Sequence, residues 1–339
     1  MKNLAFPIHH FRRTNSLSSK TSVNSVNPAS LNLPKELWQV PEPPENLYIQ
    51  GSEKALENLG KIPDQALAVV GTRYPQMRSI SLLEKIIKNL GNTVQNNHPN
   101  SHLSNQPNNQ LVIVSGLARG IDTVAHHAAL EAGLPTIAVL GAGLDIPYPL
   151  ENLGLRDRIL QADGLIVSEF PLGTPPRGFH FLRRNRLIAG WSKATWVVEA
   201  SHRSGSLNTA RWAREQNKTC FAVPCFPGDP TYAGNQTLLD RDHAIPLWST
   251  HNLGAVWLDL ATIQANPQSG KSSVKKPLPH FKLVQKIQSH TLQQGGVPLT
   301  ELYDWAVNQR WTSDEFFTLL QAALEEKSVE YLNGSLISR

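Results

Sequence analysis

The side chains best suited to chemistry in this sequence lie between Phe181 and Ala210, FLRRNRLIAGWSKATWVVEASHRSGSLNTA. Arg183, Arg184 and Arg186 share one basic segment with Asn185, and Leu182, Leu187, Ile188 and Trp191 give that segment one apolar helical face. Ala194–Ala200 reads as a buried parallel strand carrying the acidic Glu199 near its end. A small polar loop, Ser201–Ser206, then leads into a helix of good formers around Ala210, Ala213 and Glu215. A strand, a Ser/Gly turn and a helix start bring free N–H groups and the positive end of a helix dipole together, which is the chemistry of an anion site. With guanidinium groups beside it and Gly205 permitting close approach, the stretch suits a phosphate chain. The competing reading is that Arg183 and Arg186 form structural ion pairs with Glu169 or Glu199 beneath the sheet.

The elements that must position this stretch repeat one pattern. Ala66–Val70, Leu111–Ser115, Thr136–Leu140, Leu165–Val167, Thr195–Val198 and Thr219–Val223 read as buried strands. Gly-rich turns follow several of them: Gly71-Thr72-Arg73, Gly116 to Asp122, and Gly141 to Asp145. Helices are expected over Ser79–Leu90 and Asp122–Ala132, the latter stopped by Gly133. The alternation predicts an α/β chain with a doubly wound, mainly parallel sheet, whose turns collect at the C-terminal strand edge where ligands bind.

Around this core the composition changes. Residues 1–32 are rich in Ser and Asn and are expected to be a disordered polar tail. Leu33–Gly51 holds prolines that forbid a regular helix, while Trp38, Leu47, Tyr48 and Ile49 suit an extended docking arm. Residues 91–110 read as a low-complexity surface insertion. A main domain spanning 33–263 is followed by a Pro/Ser/Lys-rich linker at 264–280. Beyond it, 281–339 reads as three helices and a hairpin turning at Asn333-Gly334, a small winged-helix-like domain. Thr312-Ser313-Asp314-Glu315 gives its third helix a capping box, and that helix is acidic, which disfavours groove reading.

Several chemistries are excluded or demoted. The net charge of +5 is compatible with nucleic acid without requiring it. Gly141-Ala142-Gly143 fails the dinucleotide fingerprint, because Ile146 stands at the third Gly position and prolines follow at once. No Walker A sequence occurs, and Cys220 and Cys225 have no companion ligands at zinc spacing. No cofactor is expected. Asp122, Asp145, Glu169 and Glu199 lie near strand ends, where structural pairing is the simpler account than catalysis. Of His126 and His127, one is expected to face the core. No stretch resembles a membrane span or a signal peptide, so a cytoplasmic chain is expected.

Together the motifs resemble the DNA-processing protein A (DprA/Smf) family. The matching pieces are Val70–Arg73, Ser115–Asp122, Ala138–Gly141 through Tyr148-Pro149, Ser168–Pro171, Phe181–Ala189 and Ser204–Ala210, within roughly Leu33 to Trp248. The chain departs from the family pattern at Val223-Pro224-Cys225, where Val-Pro-Gly is usual, and a helical N-terminal domain is not recognisable.

The resemblance implies an extended Rossmann-like fold that binds single-stranded DNA without a nucleotide cofactor and is not an enzyme. It also implies a homodimer that protects strands and helps load the RecA recombinase onto DNA coated by single-strand-binding protein, in recombination or natural transformation. Carried onto this sequence, the DNA site would comprise Arg73, Arg119, Arg177, Arg183, Asn185 and Arg186, with backbone amides from Gly116, Gly120, Ser204, Gly205 and Ser206. Phe179 or Phe181 would offer a stacking face, Phe181 being the one more readily assigned to the core. The enzymatic alternative is a Rossmann-like nucleoside-monophosphate phosphoribohydrolase with the pattern P-G-G-x-G-T-x-x-E. Aligned on Thr209, that pattern places Trp212 where its Glu belongs.

Overall fold

A computed structural model of the chain describes residues 6–12, 38–56, 59, 64–96, 111–224 and 228–255. In the C-terminal part it describes 296–308, 329–332, 335–338 and scattered positions between 283 and 324. The strands of the main sheet are β1 (Ile8–Arg12), β2 (Asn46–Gln50), β3 (Ala66–Val70), β4 (Val112–Ser115), β5 (Thr136–Leu140), β6 (Leu165–Ser168), β7 (Ala194–Val197), β8 (Thr219–Ala222) and β9 (Ile245–Pro246). The helices are α1 (Glu53–Leu56), α2 (Met77–Asn96), α3 (Ile121–Glu131), α4 (Leu153–Gln161), α5 (Gly178–Gly190), α6 (Ser206–Glu215) and α7 (Ala233–Asp240).

The strand order is β1-β2-β6-β5-β4-β3-β7-β8-β9. From β6 to β9 all neighbours are parallel, whereas β1–β2 and β2–β6 are antiparallel. The chain winds outward from β3 through β4 and β5 to β6, returns to lay β7 beside β3, and winds outward the other way. The direction therefore reverses between β3 and β7, and a crevice opens there at the C-terminal strand ends.

Burial on both faces explains why these strands are continuous apolar runs. In β3, Ala66, Ala68 and Val70 join one core with Leu187 and Ile188 of α5 and Ala210 of α6. Leu67 and Val69 point the other way, to Leu83, Ile86 and Ile87 of α2 and Ala125 of α3. Leu155 and Ile159 of α4 pack on Ala138 and Leu140 of β5.

Two expectations need correction. Residues 8–12, within the expected tail, form β1, paired in register with β2 and with the His10 and Tyr48 rings stacked at 4.5 Å. Backbone pairing at a sheet edge asks little of side-chain period, which is why the sequence hid this strand; residues 13–32 lie outside the described set. The expected docking arm is extended and docked, its residues 46–50 forming β2 with Leu47 and Ile49 fully buried. The insertion begins later than expected, because α2 continues through Gly91 to Asn96. A Cβ at Gly91 would lie 2.5 Å from the Ala132 carbonyl oxygen, so glycine there permits close α2–α3 contact. Residues 97–110, the linker and the capping box at 312–315 lie outside the described residues.

In the C-terminal part, β10 (Val297–Pro298), α8 (Leu299–Asn308), β11 (Val329–Leu332) and β12 (Ser335–Ser338) surround a second core. The β11–β12 hairpin pairs Leu332 with Ser335, and Asn333-Gly334, where the sequence places its turn, lies outside the described residues.

Candidate nucleic-acid interface

Two adjoining cavities occupy the crevice at the switch point. The larger, about 360 Å³, lies between the β3 turn (Gly71–Tyr74), the first two turns of α5 and the Ser201–Ser206 loop. The smaller, about 180 Å³, is walled by Gly116, Arg119, Leu140–Ala142, Tyr148 and Pro149. Arg73, Tyr74, Ala118 and Phe181 line both, so the two form one continuous cleft.

The β3 turn is held from below. Thr72 N donates to the Glu199 carbonyl at 2.7 Å, and Ile121 N donates to the Thr72 carbonyl at 3.1 Å. The Glu199 carboxylate, itself buried, accepts from Gln76 N at 2.9 Å. Gly120 adopts φ +75°, and a Cβ there would stand 2.4 Å from Thr72 O, so only glycine lets the two turns meet. On this support the exposed Arg73 reaches over the cleft, its guanidinium carbon 5.9 Å from the centre of the Phe181 ring.

The floor is polar and buried. Arg184 Nη1 donates to Gly116 O at 2.9 Å and also to Val139 O, tying β4 to β5. Asp122 accepts from Gly116 N at 3.1 Å and Ala118 N at 3.4 Å. Burial pushes the Asp122 carboxyl up to about 6, against the opposing pull of Arg184. Burial likewise lowers Arg184 to about 10, with the Asp122 charge acting against the shift. At the start of α6, Ser204 Oγ and Ser206 Oγ lie 2.7 Å apart, and Asn185 Nδ2 donates to Gly205 O at 3.3 Å. A Cβ at Gly205 would meet nothing within 4 Å, so the helix start opens onto free space.

The arrangement offers an exposed surface cation, an aromatic ring, and a helix start beside hydroxyl groups, over a buried charge pair. That combination suits an anionic polymer carrying flat bases. A family model described as DNA recombination-mediator protein A matches residues 25–255.

This chain belongs to that family.

Among curated relatives in the family, Protein Smf of Synechocystis is 35% identical over 282 residues, covering 81% of this chain and 64% of that protein. The DNA processing protein DprA of Streptococcus pneumoniae is 41% identical over 191 residues, covering 56% of this chain and 59% of its own length. The chain thus spans about three fifths of these two relatives. Of solved structures, DNA processing protein A from Streptococcus pneumoniae superposes with a TM-score of 0.55 at 38% identity, covering 66% of this chain and 70% of that one. The Helicobacter pylori protein, described as binding single-stranded DNA in a unique mode, superposes with a TM-score of 0.54 at 28% identity, covering 69% and 93%.

Against the family expectation, the site residues divide. Arg73, Gly116, Arg119, Asn185, Ser204, Gly205 and Ser206 line the cleft. Arg119 also pairs with Glu151 at the surface. Gly116 is a wall and not an amide donor, since Asp122 takes its N–H. Gly120 acts one layer below, through packing. Arg177 and Phe179 are exposed but line neither cavity, and Phe179 sets its ring edge-on to His180 at 4.2 Å. Arg183 is half-exposed, with Nε 3.4 Å from Glu169.

Arg186 is a correction. It is fully buried and bound to both carboxylate oxygens of Glu169, so it belongs to the scaffold. Phe181 is the reverse case: it is the aromatic wall of the cleft and not a core residue, with the Tyr148 ring 5.4 Å away. Sequence reasoning left out Tyr74, Tyr148, Arg184 and Asp122 as site residues. A signal for Arg184 existed, because it precedes the buried Leu187 and Ile188 by three and four residues and so shares their helix face.

The remaining acids are occupied structurally. Both Asp145 oxygens accept from Gly173 N, at 2.8 and 2.9 Å, and Glu199 holds the β3 turn. His126 is buried against Thr136 at 2.7 Å, and burial lowers it to about 3. Cys220 is buried and its thiol is pushed up to about 12. Among the described residues, no three His, Cys, Asp or Glu groups are arranged to hold a metal ion.

Proposed function

We propose that this chain binds single-stranded DNA without base-sequence preference and serves as a recombination mediator in the cytoplasm. The observation that carries the reading is Arg73 poised over Phe181 at the mouth of a cleft built at the sheet's switch point. A cation and a π face together engage the phosphate and the base of one nucleotide, and neither discriminates among bases. The likeness to the Helicobacter pylori protein supports the same ligand.

The DNA-binding unit is the 33–263 domain together with β1, and 281–339 is a separate winged-helix-like module. Arg177, Phe179 and Arg183 extend the contact along the exposed face of α5, beyond the cleft. As a homodimer the chain presents two clefts to one strand, and linked sites raise avidity through effective concentration. Its role is binding and handover, with no bond made or broken: it delivers the strand to RecA on DNA covered by single-strand-binding protein.

Titration of labelled oligo(dT) and matched duplex tests the first step. The expected result is tighter binding to the single strand, with log K falling against log salt by about 0.7 per phosphate neutralised. Tighter binding to duplex at matched salt overturns it. RecA ATP hydrolysis on coated single strands tests the handover, with faster onset expected when this protein is present.

A further inference from the structure

The turn that presents Arg73 also presents Tyr74, which is 80% exposed although it borders both cavities. Three residues on, Met77 is 72% exposed, so an apolar rim stands beside the cleft. The other two rings of the cleft have partners, since Phe181 and Tyr148 face each other and Phe181 lies under Arg73. Among the described residues, Tyr74 has no ring or cation partner.

The backbone that carries this ring is fixed. Thr72 N is held by the carbonyl of Glu199 and Gln76 N by its carboxylate, so one buried residue grips both ends of the turn. Tyr74 N donates to Thr72 Oγ1 at 3.3 Å, and Pro75 restricts the next φ. Gln76 Nε2 adds a bond to Thr231 Oγ1 at 2.9 Å. A ring on a rigid turn loses little conformational freedom when a flat ligand covers it.

We propose that Tyr74 is a base-stacking platform at the rim of the cleft, which takes the nucleobase next to the nucleotide held by Arg73 and Phe181. This rests on the single-strand reading above. The occupant follows from continuity and charge. The rim joins the cleft without a break, and the adjacent Arg73 supplies the cation for the intervening phosphate. A nucleobase is the part of that polymer able to cover an exposed aromatic ring.

The test compares the full-length protein with Tyr74→Ala, Tyr74→Phe and Tyr74→Trp on oligo(dT) and on the same oligomer carrying abasic sites, at one salt concentration. Stacking on one aromatic contributes about 1–3 kcal/mol, so Tyr74→Ala is expected to weaken oligo(dT) binding by about 5-fold or more. The salt slope stays unchanged, and Tyr74→Phe keeps wild-type affinity. The abasic oligomer binds wild type and Tyr74→Ala alike, because no base remains to stack. Indole fluorescence of Tyr74→Trp is quenched by oligo(dT) and not by the abasic strand. Equal oligo(dT) affinity for wild type and Tyr74→Ala overturns the platform while leaving the cleft reading intact. An equal loss on both oligomers also overturns it, by pointing to a general change in the turn. Failure of the wild type to bind any single strand overturns both readings together.

Discussion

Arg186 and Glu169 meet inside the protein through two parallel hydrogen bonds, Nη1–Oε1 at 2.7 Å and Nη2–Oε2 at 2.8 Å. The Arg186 side chain is fully buried, and the Glu42 carbonyl accepts from its Nε at 3.0 Å and from Nη2 at 2.7 Å. This pair ties α5 to the loop after β6 and to the segment leading into β2. Removing one partner strands a buried charge, which costs about 3–5 kcal/mol. Arg186→Ala is therefore expected to lower the melting temperature sharply, and replacing Arg186 and Glu169 together by apolar residues should recover much of the loss. A single variant with unchanged melting would show that the pair contributes nothing to the fold.

Arg73 should behave in the opposite way. Its side chain is exposed, so Arg73→Ala leaves the melting temperature within about 1 °C of wild type, as surface substitutions usually do. Oligo(dT) affinity falls, and the salt slope decreases by about 0.7 if one phosphate contact is lost. Fluorescence anisotropy over a salt series reads both numbers.

Glu199 positions the β3 turn through an oxygen that Gln retains. Glu199→Gln is expected to keep single-strand affinity, because its amide oxygen still accepts from Gln76 N. Glu199→Ala loosens the turn and weakens binding with little change in the salt slope. Loss of affinity in Glu199→Gln equal to that in Glu199→Ala would instead assign the effect to the negative charge.

Two buried groups give the fold opposing responses to pH. His126 is lowered from 6.5 to about 3, so the folded state resists its protonation and loses stability as pH falls below 6.5. Between pH 7.5 and 5 this removes about 2 kcal/mol. Asp122 is raised from 3.8 to about 6, so the folded state takes up its proton first and gains about 1 kcal/mol over the same interval. Denaturant melts at the two pH values should show His126→Gln losing less stability than wild type on acidification, and Asp122→Asn losing more.

Trp248, just after β9, packs against the C-terminal core that includes Leu283, Leu302 and Phe316. A chain ending at Ala261 uncovers this indole, while every residue lining the cleft is retained. Such a chain is expected to bind oligo(dT) within about 3-fold of the full chain, well under the 10-fold that 1.4 kcal/mol represents. Its tryptophan emission should shift to longer wavelength. A large loss of binding with the fold retained would place the C-terminal module on DNA.

The sequence by itself determined the doubly wound sheet, because strands buried on both faces must be apolar runs and each must end in a turn. Ala66–Val70 and Thr136–Leu140 were readable to the residue for that reason. It also placed Gly71–Arg73 and Ser204–Ser206 at one edge, since parallel strands carry all such turns to the same side. Tertiary structure alone decided which arginine does what. Arg183, Arg184 and Arg186 are near neighbours in sequence, yet a helix sends the first toward solvent, the second beneath the cleft and the third onto Glu169. Composition cannot separate them, because the direction of each side chain depends on where α5 lies against the sheet. The same holds for Phe181, whose ring is a wall only because Gly141 leaves it room: a Cβ at that position would come within 2.6 Å of the ring. β1 was hidden for a related reason, because its partner β2 is distant in sequence and edge pairing draws on backbone groups that every residue carries.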